Sequence, residues 1–340
     1  MAYTNINKSS DYFNTKLWTG NSTNSTAITG VGFQPDMVWI KNRSTTDNHA
    51  IFDAIRGATY RIASNATTAN TQATNSLASF DSDGFTLNDG GDANGSGENI
   101  VGWNWKANGA GSSNTDGAIT STVSVNTTSG FSIVQWTGDG TTATIGTGLN
   151  AVPKMIITKR LDTGDNWYTY HSSLGNTKYI LLEASDAEAT SSGAWNNTSP
   201  TSSVFTKASA TNVSGGSYIA YCFADVQGFS KFGSYTGNGN ADGTFIYTGF
   251  KPAFIILRGT NNENWIMFDN KRDPINVADD LILPNQNIAA FSATYLDMLS
   301  NGFKIRTSAV GGNANGQQYI FMAFAEAPLV GSNNVPCTAR

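Results

Sequence analysis

The sequence predicts an all-β protein made of three tandem, related antiparallel β-sandwich units with little helix. Internal repetition is the first reason. An aromatic–Thr–Gly triplet occurs at Trp18-Thr19-Gly20, Trp136-Thr137-Gly138 and Tyr235-Thr236-Gly237, and each Gly is followed 15 positions later by a proline, Pro35, Pro153 or Pro252. A spacing kept three times marks duplication. Alternation is the second reason: Val101, Trp103, Trp105, then Ile219, Tyr221, Phe223, then Ile320, Met322, Phe324. A two-residue period with one large apolar face is the pattern of a half-buried strand.

The remaining elements follow in order. Each proline leads an apolar run that ends in a basic residue: Met37 to Lys41, Met155 to Lys159, and Phe254 to Arg258. These read as strands entered through a proline, which a first strand position or an edge tolerates. Asn48 to Asp53, Asn166 to His171 and Asn264 to Asp269 read as the returning strands of hairpins. Clusters such as Asp89 to Gly97 and Val310 to Gly316 supply the positive-φ positions of hairpin turns. Asp83-Gly84 and Asn301-Gly302 favour type I′ turns. Helical windows are few. Ile275 to Leu283 and Ala289 to Leu299 read equally well as helix or strand.

These spacings divide the chain into an N-terminal arm (1–15), a first unit (16–108), a connection (109–131), a second unit (132–228), a third unit (229–328) and a C-terminal arm (329–340). Within the connection, Gly109 to Gly117 has the composition of a flexible linker, and the alternating Ile119, Val123 and Val125 suit an added strand. The arms are polar, either loose or pinned by another surface.

Composition narrows the function. The 340 residues carry 20 Lys+Arg against 25 Asp+Glu, and charged residues make up 13% with no basic run, so no nucleic-acid partner is expected. No apolar run approaches the roughly 20 residues of a membrane span, and Met1 to Ser10 lacks the features of a signal peptide. Cys222 and Cys337 are expected to be free thiols.

Candidate chemistry is sparse. His49 falls where the other units carry Trp167 and Trp265, and His171 where they carry Asp53 and Asp269, so both read as ordinary strand-end positions. There is no G-x-S-x-G elbow, phosphate-binding loop or dinucleotide fingerprint. Phe80 to Thr86 holds half a calcium loop, better read as a hairpin turn, and two Cys with two His do not make a zinc site. No catalytic residue, metal or cofactor is therefore assigned. Trp39 and Trp103 align with aliphatic or aromatic partners and read as core, whereas Trp195 sits in the polar stretch Ser191 to Ser203 beside Asn196 and Asn197. Its ring is either tucked under that loop or presented to a partner, which makes Trp195, Asn196 and Asn197 the candidate partner or glycan contact. The sequons at Asn24, Asn65 and Asn126 reflect Asn/Ser/Thr richness, and no glycan is expected on them.

Phe33 to Lys41 (FQPDMVWIK), Phe80 to Leu87 (FDSDGFTL), Asn99 to Ala107 (NIVGWNWKA) and Phe324 to Val330 (FAEAPLV) resemble a family of structural proteins of tailed bacteriophages, common in marine phages. The resemblance spans nearly the whole chain. It implies a virion component built of repeated β-sandwich units, a tail fibre or other particle-surface protein; the polar, charge-poor surface and compact chain make the expectation a non-enzymatic tail fibre, tip, adaptor or capsid decoration, assembled in the host cytoplasm. Implied partners are other virion proteins and copies of itself, with host attachment through a glycan or receptor. No family site residues transfer, and no heptad run marks a fibre shaft. The alternatives are a glycan-binding receptor module and a glycan hydrolase with paired carboxylates.

Overall fold

The apolar runs that follow the three prolines are strands: Met37–Asn42, Met155–Arg160 and Phe250–Gly259. The structure, a computed structural model, describes residues 3–331, 333 and 335. Each of these strands pairs antiparallel with a returning strand, Ala50–Asp53, Tyr168–His171 or Ile266–Asp269. On its other side each pairs with an alternating strand, Asn99–Trp105, Ser217–Phe223 or Gln318–Pro328. A fourth strand ending in the aromatic–Thr pair closes the set: Phe13–Thr19, Phe131–Thr137 or Ser230–Thr236. The register is the same each time, with Trp39 opposite Trp103, Ile157 opposite Tyr221 and Ile256 opposite Met322. Pro35 and Pro153 precede their strands, but Pro252 lies inside its strand at a register shift, where the bulge accommodates a residue without an N–H.

A smaller antiparallel sheet lies over each four-strand set. Thr26–Thr29 pairs with Gly84–Leu87, Ala143–Gly146 with Val204–Lys207, and Phe245–Tyr247 with Gly302–Ile305. Three outer cores fill the space between the layers, built around Phe85, Phe205 and Phe303.

The alternating strands are not half-buried as their period implies. Every residue of Asn99–Trp105 and Ser217–Phe223 after the first is buried. Their two faces enter different cores. Tyr218, Ala220 and Cys222 face an outer core, while Ile219, Tyr221 and Phe223 join a fourth, central core drawn from all three parts of the chain. At its middle, Trp105, Phe223 and Phe324 form a closed triangle, with centroids 6.4 Å, 6.1 Å and 5.9 Å apart. Beside them only about 10 Å³ stays empty, lined by apolar side chains, so the centre is packed and dry.

Several sequence expectations need correction. Gly109 to Gly117 contains a short strand, Ser112–Asn114, that forms a hairpin with Ser121–Asn126; with Lys178–Leu181 and Ala189–Thr190 at the other edge, the middle sheet reaches eight strands. The two ambiguous windows hold strands, Ala278–Leu281 and Phe291–Leu299, paired with each other. The clusters expected to be hairpin turns contain one-turn helices, Gly91–Asn94 and Val310–Asn313. The Asp83-Gly84 and Asn301-Gly302 pairs do sit at hairpins, but Gly84 and Gly302 begin the returning strands opposite Asp81 and Leu299, so neither dipeptide forms the turn. Glycine is required there because a Cβ would stand 1.9 Å from the Ile28 carbonyl oxygen or 2.0 Å from that of Ile246.

The N-terminal arm is pinned: Ile6 enters the central core and Phe13, already in a strand, stacks on Phe324 at 5.0 Å. Of the C-terminal arm, residues 332, 334 and 336–340 lie outside the described residues, Cys337 among them.

The aromatic–Thr–Gly triplet has one structural reason in all three places. Gly20, Gly138 and Gly237 press against backbone beside Asn94, Asn212 and Asn313, and an added Cβ would lie 2.2, 2.4 and 2.3 Å from a carbonyl oxygen. Those three buried asparagines clamp the loop that follows. Asn94 Nδ2 donates to the Thr23 carbonyl at 3.0 Å, Asn212 Nδ2 to that of Thr141 at 2.9 Å, and Asn313 Nδ2 to that of Asn240 at 2.7 Å. We expect Gly237→Ala to destabilise the protein by about 1–3 kcal/mol in urea denaturation, from overpacking against rigid backbone. Gly91→Ala, where a Cβ meets nothing within 4 Å, should stay within about 0.5 kcal/mol of wild type.

Candidate functional site

The side chains able to do chemistry lie mostly between the three parts of the chain. His49 is fully buried, its Nδ1 accepting from Trp39 Nε1 at 2.9 Å and its Nε2–H directed at the Leu283 carbonyl at 3.1 Å. His171 repeats the arrangement, with Nδ1 accepting from Ser173 N at 3.2 Å and Nε2–H directed at the Phe321 carbonyl at 3.1 Å. Both imidazoles are neutral, with each nitrogen engaged and no lone pair free to take a proton from a substrate. Burial, with Lys41 nearby in the first case, lowers their pKa values to about 3 for His49 and about 4 for His171.

Asp53 and Asp269 are buried and matched. Each accepts from an arginine three residues on, Arg56 Nε or Arg272 Nε, at 2.6 Å in both cases. Each also takes a bond from another part of the chain: Tyr221 OH donates to Asp53 Oδ2 at 2.7 Å, and Trp103 Nε1 to Asp269 Oδ2 at 3.0 Å.

Two rings of cross-bonds result, each joining all three parts of the chain. In one, Trp103 of the first part reaches Asp269 of the third, Tyr221 of the second reaches Asp53 of the first, and the Phe321 carbonyl of the third receives His171 of the second. In the other, His49 reaches Leu283, Trp167 Nε1 reaches the Ala63 carbonyl at 3.1 Å, and Trp265 Nε1 reaches the Leu181 carbonyl at 2.8 Å. His49 thus does the work of Trp167 and Trp265, and His171 that of Asp53 and Asp269. Position in the repeat was the signal that could find these ties; their inter-strand partners were invisible in sequence.

Trp195 is not presented to a partner. It is 1% exposed, ends a one-turn helix (Ser192–Trp195), and meets Tyr170 edge-to-face at 5.8 Å. Asn196 and Asn197 remain exposed with φ of 50° and 51°. Under Trp195 lies Lys207, its Nζ 4.4 Å from the indole centre and 5.2 Å from that of Tyr168. Burial brings the Lys207 pKa down to about 7. Lys207 stands in strand register where Leu87 and Ile305 stand elsewhere, so this aromatic box replaces an aliphatic contact with a cation–π one.

Among the described residues, two clefts of a few hundred cubic ångströms open to solvent. One, of about 320 Å³, lies between the first and second parts and is lined by Arg56, Tyr60, Asn70, Gln135 and Asp162. The other, of about 440 Å³, is lined by Tyr3, Asp225, Gln227, Lys231 and Tyr247. Here Tyr3 OH donates to the Gly249 carbonyl at 2.9 Å, and burial together with its bond to Tyr247 pushes its pKa up to about 12. Asp225 Oδ1 accepts from Phe232 N at 2.8 Å, and its Oδ2 lies 3.4 Å from Lys231 Nζ. Among the described residues no group of three or more His, Cys, Asp or Glu is placed to hold a metal. Asp83, of the half calcium loop, instead accepts from Gly30 N and Gly32 N at 2.9 Å and 2.7 Å. Cys222 is buried and free, and burial raises its thiol pKa far above the ordinary range. No helix among the described residues is long and apolar enough to cross a membrane.

The inter-segment ties set two expectations. Asp53→Ala leaves Arg56 buried without its carboxylate and should cost about 3–5 kcal/mol in chemical denaturation, whereas Asp11→Ala, in the exposed pair with Lys8, should cost under about 1 kcal/mol. The histidines set an acid limit. The unfolded chain binds protons at both imidazoles below about pH 6.5, the folded chain only near pH 4 and 3, so stability present above pH 6.5 is lost as pH falls. By pH 4 the loss should reach roughly 3 kcal/mol per histidine. A His49→Gln/His171→Gln double variant should lose that slope, as read by denaturation midpoints from pH 7 to pH 4.

A family model described as "Domain of unknown function (DUF7483)" matches residues 8–328, and the chain belongs to that family. No curated protein and no solved structure matches.

Proposed function

We propose that this DUF7483 protein is a non-catalytic structural component of a tailed-phage particle, placed at the particle surface and acting through contacts with other virion proteins and with copies of itself. Its three sandwich units are then copies of one module that mimic a trimer within a single chain. The observation that carries this reading is where the reactive groups have gone. Both histidines and the buried Asp53–Arg56 and Asp269–Arg272 pairs are engaged in ties that hold the parts together, so the chemistry of the chain serves shape.

The hydrolase alternative finds little support in the two open clefts. Each presents one carboxylate, Asp162 or Asp225, where acid-assisted glycoside cleavage needs a facing pair. The phage assignment itself rests on the resemblance of motifs such as Asn99 to Ala107 and Phe80 to Leu87.

The test is composition of particles. Mass spectrometry of gradient-purified particles from cells producing this chain should find it at a fixed copy number, and antibody-gold labelling should mark the particle exterior. Abundance in the infected lysate with absence from the particles would remove the proposal.

A further inference from the structure

The three small outer sheets differ at two outward-facing positions. Ile28, Ile145 and Ile246 are matched, each opposite a buried phenylalanine (Phe85, Phe205 or Phe303). The residues on either side of them point away from that core. In the first part these are Ala27 and Thr29, both exposed; in the second they are Thr144, half-buried, and Gly146, buried beneath the Asn114 side chain. In the third they are Phe245 and Tyr247, 44% and 55% exposed. The same sheet is built elsewhere with small side chains at these places, so the fold does not require rings there. Two flat aromatic side chains share one strand face, about 7 Å apart along the strand; Phe245 lies over Gly302 and Tyr247 beside Gly249 and Tyr3, yet each leaves about half of its surface in water.

Their surroundings point to a ligand class. Tyr247 forms a wall of the 440 Å³ cleft, a size suited to a small molecule. The other walls carry a carboxylate (Asp225), an ammonium (Lys231) and an amide (Gln227). Asp225 and Lys231 lie 3.4 Å apart and cancel in charge, so the cleft offers both acceptors and donors without a net field for an ion. Flat apolar faces next to a neutral set of hydrogen-bonding groups match a sugar ring, which has an apolar face of C–H bonds and a rim of hydroxyls. A protein-binding patch would instead have a broad, charge-depleted apolar centre.

We propose that the cleft bounded by Tyr3, Asp225, Gln227, Lys231 and Tyr247 binds a neutral saccharide, with Tyr247 stacking on the ring and Phe245 extending the platform to a second sugar. The site does not rest on the particle assignment: saccharide binding by a chain absent from particles would keep this proposal and remove the other. The glycan contact then lies at Tyr247 and not at Trp195, whose ring is buried.

The experiment uses the full chain in saturation-transfer NMR and titration with the methyl glycosides of glucose, galactose and mannose and with N-acetylglucosamine. Saturable binding of at least one of these is expected, with a Kd of about a millimolar, the strength a single-ring ligand reaches. Tyr247→Ala should weaken it by at least about tenfold, and Asp225→Asn should weaken it measurably. Val152→Ala, exposed and outside the cleft, should leave it unchanged. Tyr247 is exposed, so an unchanged melting temperature will separate loss of binding from loss of fold. Three results overturn the proposal: no sugar of the panel binds, binding survives Tyr247→Ala, or the rings are covered by a second copy, shown by a dimer that Phe245→Ala and Tyr247→Ala convert to monomer.

Discussion

The contact on which the rest depends is the triangle of Trp105, Phe223 and Phe324. Each ring ends the apolar face of an alternating strand, and each strand comes from a different third of the chain. Because the three rings meet, no four-strand sheet can turn its second face to water. That accounts for strands buried on both sides, for a centre with almost no free volume, and for polar groups that must find partners across the segment boundaries. The cross-bonded rings of Trp, Tyr, His and Asp satisfy that demand, and their matched positions follow from the repeated register.

Much of the architecture was legible in the sequence, because the repeat spacing became strand register. The aromatic–Thr–Gly to proline interval placed Trp39, Ile157 and Ile256 opposite Trp103, Tyr221 and Met322. What was not legible is of one physical kind. A two-residue period reports that a strand has an apolar face but not what covers the other, since that cover comes from strands about a hundred residues away. Tyr218, Ala220 and Cys222 carry no amphipathic signal, yet they line an outer core. The short helices at Gly91–Asn94 and Val310–Asn313 were missed for a similar reason: an asparagine that clamps a distant loop outweighs the low helix propensity of glycine.

The candidate sites divide in the same way. His49 and His171 were readable as positional substitutes, and their neutral, doubly engaged rings agree with that reading. The polar stretch around Trp195 suits either environment, and only the position of Lys207 and Tyr170 decides for burial. The exposed rings of Phe245 and Tyr247 gave no signal in a single strand, where aromatic residues are common. They stand out only when the three small sheets are laid over one another.

The pinned N-terminal arm and the cross-bonded rings also bear on how the chain is made. Ile6 and Phe13 precede the other residues of the central core, yet Phe13 stacks on Phe324 from the third part, made some three hundred residues later. Until the third part of the chain emerges, Trp103 has no Asp269 and His49 no Leu283. A nascent chain therefore carries a wide, tryptophan-lined face until its third part has been made, because the central core needs strands from all three thirds.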